Sequence, residues 1–134
     1  MTKFLLLSKY GGDADLEPMD NWEPADIRAH LDFLQSVNAE LIESGELVGG
    51  LALTGPELAK LVRSDGMSAP VVTDGPFPEA KELLAGYQMI DVDSEARAIE
   101  IAAKVSSAPG PGGKAINQSI EVRQVMGTLP GIES

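Results

Sequence analysis

The chain contains no cysteine, which excludes disulfides, thiolate metal sites and cysteine nucleophiles. It has one histidine and one tryptophan, and aromatic residues make up only 4% of it. One histidine among scattered carboxylates is a poor donor set for a transition metal, so no metal or cofactor is expected. A carboxylate-only site for a hard cation stays open. Positive charge is scarce: 10 Lys and Arg stand against 21 Asp and Glu, a formal charge of −11 with a pI near 4.3. Nucleic-acid binding needs basic side chains to replace phosphate counterions, and anionic membranes ask for the same, so neither partner is expected. No apolar run approaches the roughly 20 residues that cross a bilayer. Phe4-Leu5-Leu6-Leu7 gives the start a superficial likeness to a secretory signal. The run is short and leads into Ser8-Lys9-Tyr10, so it reads as a buried strand, and a cytoplasmic location is expected.

What is present suits one soluble globular domain: 134 residues, 43% of them hydrophobic. We place that domain at 1–126, followed by a loose tail at 127–134. Residues 3–9 read as the first strand, continuously apolar as in a strand covered on both faces. A helix begins with Pro24 at its first position. Its cap is Glu23, or Asp20 with Glu23 closing a capping box. Ile27, Leu31, Leu34, Leu41 and Ile42 recur at helical spacing, interrupted by Asn38, and Ser44-Gly45 ends the helix. Strands are expected at 46–53, 83–92 and 116–126. Between the first two of these, 58–73 reads as a hairpin, with strands 58–63 and 67–73 turning at Ser64-Asp65-Gly66. A second helix is capped by Asp93 or Ser94 and carries Ile99, Ala102, Ala103 and Val105. The prolines and glycines of 108–113 exclude regular structure there.

This order predicts an α+β, ferredoxin-like βαββαβ fold with an inserted β-hairpin and both helices on one face of an antiparallel sheet. The strand around Tyr87 has Ala85, Tyr87 and Met89 on one face and Gly86, Gln88, Ile90 and Val92 on the other. Both faces carry apolar groups, and one has no helix to cover it. A second copy is the simplest cover, so a homodimer is expected.

The densest local signal is Thr73-Asp74-Gly75-Pro76-Phe77-Pro78, which leads through Glu79, Lys81 and Glu82 to Gly86-Tyr87. Gly75 precedes a proline and is pushed away from helix. Pro76 and Pro78 hold Phe77 on a stiff turn and cannot donate to a sheet. Stiff and ionisable residues on one turn mark a candidate site. The stretch resembles the signature of the YCII-related family, in its branch named for a sequence like Asp74-Gly75-Pro76-Phe77, and the likeness runs from Lys3 to about Met126. The resemblance implies a dimeric α+β barrel and leaves the activity open.

His30, at the border of the first helix's apolar face, is the candidate general acid or base; its plain alternative is a core-edge histidine with one hydrogen bond. Relatives in the wider family pair such a histidine with an aspartate just before a proline after the second helix. The matching position here is Ala108, before Pro109, which breaks the dyad and leaves Asp74 as the candidate substitute. Asp74 is otherwise a turn residue bonding nearby amides. Pro76, Phe77, Glu79, Lys81 and Tyr87 are the candidate ligand-binding residues. Glu79 and Lys81 read equally as a solvated charge cluster, and Tyr87 as a half-buried strand aromatic. Gly112-Gly113-Lys114-Ala115 lacks the first glycine and the hydroxyl of a phosphate loop. Asn117-Gln118-Ser119 has the form of a glycosylation sequon, read as empty in a cytoplasmic chain. Three readings follow: a small-molecule enzyme using His30 with a carboxylate, a noncatalytic small-ligand-binding or regulatory dimer, or a purely structural dimer unit. Members resembling this branch are often encoded near extracytoplasmic-function sigma factors, which suits the second.

Overall fold

The computed structural model describes residues 1–11, 19–75 and 82–133. Its strands are β1 (Thr2–Gly11), β2 (Leu47–Ala52), β3 (Lys60–Arg63), β4 (Val71–Asp74), β5 (Glu82–Val92) and β6 (Glu121–Gln124). Two α-helices, α1 (Pro24–Glu43) and α2 (Glu95–Ser106), follow β1 and β5. Four strands form an antiparallel sheet in the order β2-β5-β1-β6, and β3 pairs only with β4. The chain is therefore α+β, and its strand order is consistent with the ferredoxin-like arrangement.

Strand alternation decides where the core lies. Phe4, Leu6, Ile90 and Val92 share one sheet face and are buried with Val37 and Leu41 of α1 and Ala98, Ile101, Ala102 and Val105 of α2. Leu5 and Leu7, paired with Met89 and Tyr87, take the other face, where Leu51 joins them from β2. Glu121 and Arg123 of β6 flank this second face.

Both helix starts follow the residues that announce them. Pro24 opens α1 after an extended Glu23, whose side chain makes no capping bond. Asp20 lies in a short 3-10 turn at Met19–Asn21 and not at the helix start. Gly45, at φ +81, ends α1 where an L side chain would be strained. The Ser94 hydroxyl accepts the Arg97 amide and caps α2.

The helix faces differ from expectation. In α1 Leu31 and Ile42 are exposed, while His30 and Val37 are buried beside Leu41. The buried stripe is thus rotated towards α2. Asn38 accepts a hydrogen bond from Gln88 of β5 at 2.6 Å, so this polar interruption ties helix to sheet. In α2 Ile99 and Ala103 are exposed, and Ala98 and Ile101 face the core instead.

Three boundaries also shift. The 64–66 turn is a longer loop, because the Asp65 carboxylate accepts the amides of Met67 and Ser68 and Pro70 has no amide to pair. Residues 67–70 are therefore not strand. The last strand is four residues long, since the amides of Ile116 and Asn117 bond back to Ala108 and Ser106 at the end of α2. Within 108–113, Pro111–Gly113 makes one 3-10 turn, broken by Gly112 at φ +69.

Glu46, just before β2, holds Arg97 of α2 through two bonds of 2.8 and 2.9 Å. The guanidinium, with help from the Ser44 hydroxyl, lowers the Glu46 carboxyl from 4.5 to about 2. A lowered folded-state value stabilises the fold above the unfolded pKa, and this contribution fades as pH falls from about 4.5 towards 2. Arg97 is 39% exposed, so solvent screens the pair. Arg97→Ala should cost about 1 kcal/mol at pH 7, and in urea unfolding the difference from wild type should shrink across that acid window.

Candidate functional site

α1 sets His30 on its buried stripe, and the loop after α2 meets it there. His30 is 7% exposed, and Nδ1 lies 3.0 Å from the carbonyl oxygen of Pro109. A carbonyl only accepts, so Nδ1 is the donor. Nε2 has no hydrogen-bond partner among the described residues. It is not among the fully buried unpartnered polar atoms either, for among the described residues that set holds Asp91 Oδ1 alone. With Nδ1 carrying the proton, Nε2 is an acceptor in the neutral ring.

Trp22 meets the imidazole edge-on, with ring centroids 5.4 Å apart and planes at 88°. Gly110 lets the loop pass close by: a Cβ there would meet Ile116 Cγ2 at 2.6 Å and the Trp22 ring at 3.6 Å. Asp26, one helical turn before His30, accepts the Gly112 amide at 3.2 Å and holds the loop to α1. Ala108 is fully buried. The position matched to the relatives' aspartate is thus next in sequence to the group that His30 bonds, but it offers a methyl, and the ring is oriented by a backbone carbonyl.

Asp74 ends β4 on the exposed hairpin and pairs with Lys60 at 2.5 Å. It makes no hydrogen bond with His30. Tyr87 is half-buried and paired with Leu7 and Leu51 on the sheet face away from the helices, so the sheet stands between it and His30. Pro76, Phe77, Glu79 and Lys81 lie outside the described residues. Among the described residues no three His, Asp or Glu side chains gather to hold a metal ion, and no helix is long and apolar enough to cross a membrane.

The sequence reading missed Trp22, Asp26 and Gly110 as neighbours of His30. The available signals were the single tryptophan just before Pro24 and the proline and glycine loop at 109–113, which had to pack against something.

The YCII-related domain model matches residues 2–113, from β1 through α2 and the Pro111–Gly113 turn. The chain belongs to the YCII-related family. It is also similar to an uncharacterized protein of Rhizobium meliloti (strain 1021), 34% identical over 99 residues that cover 73% of this chain and 74% of the other. Neither likeness assigns an activity, so the chemistry of this YCII-related chain has to be read from its own residues. A histidine held by a carbonyl, with a free Nε2 beside an indole, can bind a polar hydrogen-bonding group. Among the described residues it has no carboxylate to stabilise an imidazolium.

His30→Phe removes the donor and leaves the Pro109 carbonyl unpaired, which should destabilise the fold by about 1–3 kcal/mol. His30→Gln keeps a side-chain donor and should lose less. Denaturant unfolding followed by the emission of Trp22 measures both.

Proposed function

We propose that this YCII-related protein is a noncatalytic, small-ligand-binding homodimer in which Nε2 of His30 is the polar contact for the ligand. The observation that carries the reading is the state of His30: buried, fixed through Nδ1, and free at Nε2. An imidazole so held is preorganised to accept a hydrogen bond from a small polar molecule, with Trp22 as an apolar wall. The buried alanine at 108 and the carbonyl partner favour binding over proton transfer, because among the described residues no carboxylate bonds His30 to support a charged ring.

The dimer reading is supported by the sheet face bearing Leu5, Leu7, Leu51, Tyr87 and Met89, which no helix among the described residues covers. A stable homodimer through this face would bury roughly 1,600 Å² in total.

A thermal-shift screen of small polar metabolites, read in parallel by Trp22 emission, should find a stabilising ligand. His30→Gln should weaken that ligand at least about tenfold while the fold and the dimer persist. A ligand that binds wild type and His30→Gln equally would refute the role of His30, and turnover of any hit would refute the noncatalytic reading. Sedimentation should show a dimer at micromolar concentration. Met89→Glu should dissociate or unfold it, since an unpaired charge buried there costs several kcal/mol, on the order of the whole stability of a small domain.

A further inference from the structure

Among the described residues the β3–β4 hairpin has no strand partner beyond itself. The two strands pair with each other, and all their residues are exposed. A two-stranded ribbon is at best marginally stable alone in water. Its register sets Val62 opposite Val72 on one face, 62% and 60% exposed, while Leu61 and Val71 lie on the other. Apolar groups exposed on both faces of a ribbon call for a cover.

Two observations identify the cover as a second copy of this chain. The first is continuity. The hairpin leaves the sheet at the end of the β2–β5 pair, which the Leu53 amide on the Ala85 carbonyl extends, and the Gly75 amide on the Ala59 carbonyl closes its base, both at 2.8 Å. At that end the helix-free sheet face shows Leu51 and Leu84, both exposed, so the apolar surface runs from the sheet towards the arm. The second is charge. Copies carrying −11 each repel one another, but the hairpin at 60–74 sets Lys60 and Arg63 against Asp65 and Asp74, with Lys60 and Asp74 paired, so it carries no net charge and meets an acidic neighbour without that repulsion.

We infer that the hairpin is an exchange arm: in the homodimer proposed above, on which this rests, each copy lays Val62 and Val72 against the other. Two-fold symmetry then covers both ribbons at once. The test uses the full chain. Amide hydrogen exchange of 60–63 and 71–74, taken far above and far below the dimer dissociation constant, should show protection only in the dimer. The double variant Val62→Glu with Val72→Glu should weaken the dimer more than about 100-fold in sedimentation and leave the circular dichroism of the monomer unchanged. A wild-type dimer whose hairpin amides stay unprotected would overturn the arm and leave the dimer standing, with the hairpin free for another protein. Hairpin protection only in tetramers would overturn it as well. A wild type that is monomeric throughout would end both readings.

Discussion

The structure depends on the antiparallel pairing of β1 with β5, the two central strands of the sheet. Ten residue pairs run from Thr2–Val92 to Gly11–Glu82, with one irregularity between Ser8 and Lys9. Because side chains alternate, this one pairing sends Phe4, Leu6, Ile90 and Val92 to the helices and Leu5, Leu7, Tyr87 and Met89 to the opposite side. A slip of one residue would exchange the two sets, so the packing of α1 and α2 fixes the register. It also makes the helix-free face apolar, because a strand rich in leucine cannot have one polar side. Both the core and the proposed dimer thus follow from Phe4-Leu5-Leu6-Leu7 at the middle of the sheet.

Where local chemistry had no competitor, the sequence was legible. Pro24 and Gly45 bounded α1, Ser94 capped α2, and the alternation around Tyr87 told the two faces apart. It was less legible where a side chain competed with a ladder. Asp65 captures two amides that a strand would have used, and Ile116 and Asn117 turn their amides to the end of α2. The face of α1 was misread for another reason. Leucine and isoleucine at helical spacing outvoted His30, yet Leu31 and Ile42 point outward, because α2 and its following loop press on the stripe of His30, Val37 and Leu41. For the site, the sequence singled out His30 and Ala108 but could not show that Pro109, between Ala108 and Gly110, supplies the carbonyl.

Charge is segregated in a way that composition hides. α1 carries one basic side chain, Arg28, against Asp26, Asp32, Glu40 and Glu43. On the helix-free face, Lys9 meets Glu121 at 2.7 Å and Arg123 lies beside it. α1 thus carries a net acidic charge that keeps its outer surface in water, and the sheet face is close to balanced. An acidic protein that associates with itself needs this separation, because like charges directly opposed across an interface cost several kcal/mol.

The environment of His30 separates binding from catalysis on physical grounds. A histidine that works as a base must end its step as an imidazolium, and a nearby carboxylate stabilises that charge. A peptide carbonyl orients the ring and accepts the Nδ1 proton as well as a carboxylate does, but it supplies a dipole in place of a full charge. Ala108 adds a methyl where a charge would have been needed. What this loop gives the ring is direction: the Pro109 carbonyl takes the Nδ1 proton and leaves Nε2 as the acceptor of the neutral ring, beside Trp22. In the reading proposed above that acceptor would meet a donor group, and the loop of Pro109 and Gly110, which bonds His30, bears on its chemistry more directly than Asp74, which pairs with Lys60.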